Sequence, residues 1–124
     1  MANTHTVQLH KKNGTQSTLA NNIWLANNPL TRLKGLLGKS SLQPNEGLWI
    51  TPCNGVHSCF MQFVFDAVFV DKNGEVLHII RHMTPWKFSP MIKGAKSVLE
   101  LPDDWAAQHH VDIGDTLILT PNQT

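Results

Sequence analysis

Apolar and polar positions along the chain fall into short runs, most of them at strand spacing. Asn13-Gly14 stands between "VQLH" and "STL", and Asn73-Gly74 between "VFV" and "EVLHII"; both residues of such a pair accept positive φ, so each predicts a β-hairpin. The run "CFMQFVFDAVFV", residues 59–70, is almost unbroken in apolar character and rich in aromatic and branched side chains, as for a strand buried on both faces. "GLWI" stops at Pro52, "SVLEL" and "GDTLILT" add strands, and "TPWKFSP" reads as a loop. Two segments carry helix signals instead. In "NNPLTRLKGLLG" Asn28 caps, Pro29 suits the first turn, Leu30, Leu33 and Leu37 form one stripe, and Gly38 ends it. In "DDWAAQHH" Asp103 or Asp104 is the expected cap. The pattern predicts a mainly β (α+β) fold, a compact single domain over residues 1–124, built on hairpins as a barrel or sandwich with two short helices.

Hairpin arithmetic adds a specific expectation. With a two-residue turn at Asn73-Gly74, Asp66 faces Arg81, Val68 faces Ile79 and Phe69 faces His78; a three-residue turn with a bulge at Gly74 would set Ile80 opposite Asp66. Asp66 interrupts the apolar run, and a carboxylate there needs a partner, Arg81 or main-chain N–H groups.

Composition narrows the class. The 124 residues are 41% hydrophobic and 15% charged, which describes a globular chain able to bury a core without disulfide or metal. Ten Lys and Arg against nine Asp and Glu leave a net charge of +1, with no basic run, so no nucleic-acid partner is expected. No segment approaches the ~18 apolar residues of a membrane helix, so no membrane insertion is expected. "MANTHTVQLHKKNGT" lacks a basic region followed by an apolar one, so the expected location is cytoplasmic, where Cys53 and Cys59 would stay thiols.

Several motifs in order, "RLKGLLGKSSL", "GLWITPCNGVHSCFMQFVFDAVFVDKNGEV", "PW", "SVLELP" and a final Gly114-Asp115, resemble the uncharacterised bacterial and archaeal family DUF192 over residues 17–119. His57, Met61, Asp66, Phe69, Asp71 and Gly74, followed at a distance by Glu100 and Gly114-Asp115, carry the resemblance most specifically. It implies a compact β-rich domain and no particular activity. The chain departs from the family at "LELPDDW", where Asp103-Asp104 replaces the small Ala-Gly pair usual after the proline.

"PCNGVHSCFM", residues 52–61, admits four readings: a metal site, a disulfide, a Cys-His nucleophile, or a turn at Asn54-Gly55 leading into the buried strand. It has no Cys-x2-4-Cys knuckle, and Cys59 with His57 lacks a third orienting group. The turn-and-strand reading leads, with no cofactor and no metal. Trp86, with Lys87 and Phe88, is a candidate binding lip. Alternation turns Glu100 away from Leu99 and Leu101, toward solvent or a pocket. The expected function is a small binding or accessory module, its ligand a small molecule or a protein partner. A polar-edged pocket near His57, Met61, Asp66, Arg81, Trp86 and Glu100 would hold that ligand. The alternative is a hydrolase or transferase using Cys59 with His57, or a metal on His57, Asp66 and a second histidine.

Overall fold

The computed structural model describes residues 4–28, 39–58 and 61–123. The helix expected from Pro29 to Gly38 lies outside them, as do Cys59 and Phe60. Among the described residues the strands are β1 (Thr4–His10), β2 (Gln16–Ala26), β3 (Glu46–Ile50), β4 (Phe65–Val70), β5 (Val76–Met83), β6 (Ser97–Pro102) and β7 (Thr116–Pro121). A short helix, α1 (Trp105–Gln108), precedes β7. The chain is mainly β, as its pattern implies, but the strands make one seven-stranded sheet, ordered β5-β4-β6-β3-β2-β1-β7, rather than a closed barrel or a sandwich. β2 and β3 run parallel; the other neighbours are antiparallel. The buried strand is shorter than its apolar run, beginning only at Phe65.

A barrel needs a continuous ladder between its edge strands. Here β5 and β7 meet only at one corner, through an isolated bridge between Glu75 and Thr116. Leu117 N–H donates to the Gly74 carbonyl (2.8 Å) and Val76 N–H to the Asp115 carbonyl (2.8 Å). Gly74 permits the approach: its φ is +85°, and a Cβ there would strike the Leu117 carbonyl oxygen.

Strand alternation sorts the core onto the two faces of the sheet. One face carries Val7, Leu19, Ile23, Val68, Leu99 and Leu101, closed at one end by Ala106 of α1 and Val111. The other, here the outer face, carries Leu48, Ile50, Phe65, Ala67, Phe69 and Val98, covered by loop residues that include Val56, Met61, Phe63 and Ile92. Phe65, Val68 and Phe69 are fully buried, while Phe63 and Ile79 are half-buried.

Both Lys-Asn-Gly turns adopt the three-residue form. Gly74 N–H donates to the Asp71 carbonyl (3.0 Å) and Gly14 N–H to the Lys11 carbonyl (3.0 Å), each glycine at positive φ. A bulge at Leu77 then restores the pairs Phe69–His78, Val68–Ile79 and Ala67–Ile80. A second bulge sets Arg81 and His82 together against Asp66 before Phe65 meets Met83. Asp66 therefore does not pair with Arg81, whose Nη2 donates to the Val111 carbonyl (3.1 Å). The fully buried Asp66 carboxylate accepts main-chain N–H bonds instead: His82 (3.0 Å) and Asp104 (3.3 Å) at Oδ1, Ala106 (3.0 Å) at Oδ2. His82 and Asp104 both take positive φ, a conformation their positions reach by donating to this one carboxylate. Asp104 occupies the N-cap position of α1 but makes no side-chain cap bond, because Asp66 supplies the acceptor from the sheet.

The corner where the edges meet depends on a second buried carboxylate. Asp115 accepts from Lys11 Nζ (2.5 Å), Asp112 N–H (2.8 Å) and Lys12 N–H (3.2 Å), joining the β1–β2 turn to the start of β7. Lys11 Nζ also donates to Asp112 Oδ2 (2.8 Å) and to the His110 carbonyl. Burial pushes the Asp115 carboxyl up, but the Lys11 bond, the two N–H bonds and the Lys11 charge outweigh it and hold the group below its ordinary value.

Two outcomes follow from these carboxylates. In Asp66→Asn an NH2 group would face N–H donors, so the variant is expected to lose about 2–3 kcal/mol in chemical denaturation. The amide protons of His82 and Ala106 should exchange faster. Arg81→Gln should cost about 1 kcal/mol or less; equal losses in the two variants would reinstate the ion pair. Asp115→Asn removes one of the three partners of Lys11 and weakens two main-chain bonds, and should cost about 2 kcal/mol. Because the folded Asp115 carboxyl sits below 3.8, its contribution is complete above that pH and is lost as pH falls through the folded value. The acid limb of a stability–pH curve should therefore flatten in Asp115→Asn; an unchanged limb would contradict the assignment.

Candidate functional site

Two loops cover the outer face, described residues 51–58 and 61–64 between β3 and β4 and residues 84–96 between β5 and β6. They bind one another much as strands do. Cys53 N–H donates to the Lys96 carbonyl (2.8 Å), Ile92 N–H to Asn54 (2.8 Å), Ser89 N–H to Val56 (2.8 Å) and Ser58 N–H to Lys87 (2.8 Å). An isolated bridge joins His57 to Phe88. Ser58 is fully buried; its Oγ donates to the Thr84 carbonyl (2.5 Å) and accepts from Lys87 N–H (2.8 Å). "PCNGVHS" is thus the inner partner of "WKFSPMI", its polar atoms largely spent on holding the second loop. The Cys53 thiol donates to the Gly55 carbonyl (3.0 Å).

The loop layer has two sides. Val56, Met61, Phe63, Ile92 and Ala95 face the sheet and pack on its apolar residues. Outward stand His57, exposed with its ring 6.1 Å from that of Phe88, and three large apolar side chains: Trp86 (61% exposed), Phe88 (77%) and Met91 (76%). Trp86 takes a φ of +65°, rare for a bulky residue, with its N–H donating to the Ser58 carbonyl (3.0 Å).

Glu100 sits in the middle of β6, between β3 and β4, opposite Leu48 on one side and Ala67 on the other. Alternation turns it to the outer face, as expected, yet only 4% of it is exposed, so its carboxyl is nearly enclosed. Among the described residues its carboxyl makes no hydrogen bond and no ion pair. Burial alone pushes its pKa up to about 8, so at neutral pH it is mostly a neutral acid with one O–H to donate. A cation brought beside it would reverse that preference and draw out the carboxylate.

The sequence-derived constellation is therefore divided. Asp66 pairs in register with Leu101, and Glu100 with Ala67, so the two carboxyl groups occupy neighbouring positions on opposite faces of the same strand pair. Asp66 and Arg81 belong to the α1 end, where both serve the fold. Glu100 and Met61 belong to the outer side, with His57 and Trp86 on the loops above it. A metal on His57, Asp66 and a second histidine is not assembled, since Asp66 is fully engaged by main-chain donors. Among the described residues no three His, Cys, Asp or Glu side chains gather where they could hold a metal ion. Cys59, the alternative nucleophile, lies outside the described residues. Sequence reasoning missed Ser58, whose role depends on a partner loop about thirty residues away, and the role of Asp115, seen only as part of the final Gly114-Asp115 motif.

No protein with a curated description matches the chain. Two solved structures share its fold. One, from Sinorhizobium meliloti 1021 and described as "a putative transcription regulator", has a TM-score of 0.80 at 20% identity over 96% of both chains. The other, from Novosphingobium aromaticivorans DSM 12444 and described as a protein of unknown function, has a TM-score of 0.79 at 21% identity, over 91% of this chain and 83% of that one. At these identities the likeness shows the fold alone. The family model for DUF192, described as uncharacterized ACR, matches residues 9–119, and the chain belongs to that family.

Proposed function

We propose that the protein is a small cytoplasmic binding module, a single domain, that holds an amine- or guanidine-bearing ligand against Glu100 on the outer face of the sheet. The ligand is either a small molecule or the cationic side chain of a protein partner. One observation carries the reading: a carboxyl group in a central strand, 4% exposed, has no polar partner among the described residues. Its oxygens keep at most a narrow contact with water, and polar groups so nearly enclosed in folded proteins are usually hydrogen-bonded to the chain. An apolar side chain between Leu48 and Ala67 would pack there at no electrostatic cost. Retaining a carboxyl keeps an unused acceptor for something the chain does not itself supply. In this reading His57, Met61 and Trp86 border the way in, through the loop layer that covers the face.

The pH dependence has a definite sign. With the folded value at about 8 and the ordinary value at 4.5, the folded chain holds a proton that the unfolded chain releases, so stability falls as pH rises between the two. The slope from this group approaches about 1.4 kcal/mol per pH unit. Glu100→Gln lacks it. The variant should match wild type near pH 4.5 and be more stable by several kcal/mol at pH 8. A Glu100→Gln protein less stable than wild type at pH 8 would mean that the carboxylate already has an internal partner.

Ligand chemistry is tested by thermal unfolding with butylamine, butylguanidine and butyrate as probes. The two cations should raise the melting temperature of wild type at pH 8, and neither should raise that of Glu100→Gln. Butyrate should act on neither protein. No effect of either cation, or equal effects in both proteins, would overturn the proposal.

A further inference from the structure

Besides Trp86, which the ligand reading sets at the way in to Glu100, the loop of residues 84–96 exposes apolar and basic side chains that ligand binding does not use. Within ten residues of it, three large apolar side chains are mostly exposed: Trp86 (61%), Phe88 (77%) and Met91 (76%). Lys87, Lys93 and Lys96 are exposed in the same loop, and no acidic residue occurs between Glu75 and Glu100. The partner loop, residues 51–64, carries no Lys, Arg, Asp or Glu at all. Setting these three lysines aside, the rest of the chain has seven basic residues against nine acidic ones, eight without the mostly neutral Glu100. A basic loop layer therefore stands on a slightly acidic body, and a negatively charged surface would attract the loop side first.

We infer that this loop docks the protein onto an anionic lipid surface, Trp86, Phe88 and Met91 entering the boundary between headgroups and acyl chains while Lys87, Lys93 and Lys96 lie among the phosphates. The backbone supports it. Residues 86–92 are bonded to Ser58, Val56 and Asn54, and the half-buried Ile92 packs inward, so the exposed side chains project from an anchored segment. The positive φ of Trp86 shows a bulky residue kept in an uncommon conformation while most of its surface faces water.

The interleaving Trp86-Lys87-Phe88 separates a lipid surface from a protein partner. The core of a protein–protein interface is depleted in lysine, because an ammonium trapped among apolar groups loses its water. A bilayer interface takes both at once, the aromatic body in the apolar boundary and the lysine head at the phosphates. No described helix is long and apolar enough to cross a membrane, and the inference is of a peripheral contact through this loop.

Cosedimentation of the full chain with vesicles tests the inference. Vesicles of mixed phosphatidylcholine and phosphatidylglycerol should carry the protein down, and phosphatidylcholine alone should carry much less. Trp86→Ser with Phe88→Ser should weaken anionic binding by about tenfold or more. Replacing the three lysines by Gln should weaken it by about fivefold per lysine, and added salt should act in the same direction. All these side chains are exposed, so the melting temperatures should hold; if the double aromatic variant unfolds, Met91→Ser takes its place and should also bind less. Glu100→Gln should sediment like wild type, which separates this surface from the ligand site. Absence of binding to anionic vesicles, equal binding to both compositions, or undiminished binding of the aromatic variants would overturn the inference. Self-association in sedimentation velocity without vesicle binding would give the patch to a second copy instead.

Discussion

A carboxyl group removed from water must find donors or give up its charge, and this sheet contains both outcomes one register step apart. Asp66 and Glu100 sit on the β4–β6 pair, facing opposite sides. Asp66 meets three N–H groups, and in meeting them it fixes the bulge of β5 and the start of α1. Had the apolar run continued through position 66, the carboxylate that His82 and Asp104 donate to at positive φ would be gone, and the α1 corner would keep only its other ties, such as Trp105 Nε1 to the Leu19 carbonyl. Glu100 meets no donor on its own side and shifts toward the neutral acid. Two carboxyl groups of similar burial therefore have different consequences, one architectural and one chemical.

The same contrast explains what the sequence revealed. Local turn chemistry was legible: both Lys-Asn-Gly segments are hairpin turns, and the glycine at positive φ is the reason. Strand identity was legible wherever aromatic and branched residues clustered, in β4, β5 and β6; the pairs Val68–Ile79 and Phe69–His78 occur, but through a three-residue turn offset by a bulge at Leu77 rather than the two-residue turn that sets them by arithmetic. That arithmetic failed at Asp66 because a bulge inserts one residue, and the bulge is fixed by a bond from a strand to a carboxylate rather than by the turn. The parallel pairing of β2 with β3 was not legible either; it depends on where a long crossover returns, which period-two alternation does not encode. Closure was overestimated for a similar reason. Gly74 and Asp115 bring the two edges together, but only for one bridge.

The candidate site was half legible. Glu100 stood out as a charge between two leucines, and Trp86 as an aromatic in a proline-bounded loop; both sit on the outer side of the sheet or above it. Grouping Asp66 with them was an error of face, since adjacent register positions on paired strands point in opposite directions. The histidine and cysteines of "PCNGVHSCFM" drew attention to chemistry, whereas in the described residues that stretch mainly binds and supports the loop carrying Trp86, Phe88 and Met91. Its least conspicuous member, Ser58, makes the most polar contacts there.

The account rests on Glu100 being an acid that waits for a cation. Its side-chain carboxyl can be followed directly by carbon-13 NMR across a pH titration of the isolated protein. The account predicts a midpoint near 8, moving down toward the ordinary 4.5 as a saturating amine is added. A midpoint at or below 4.5 without any ligand would show a carboxylate already satisfied, and would contradict it.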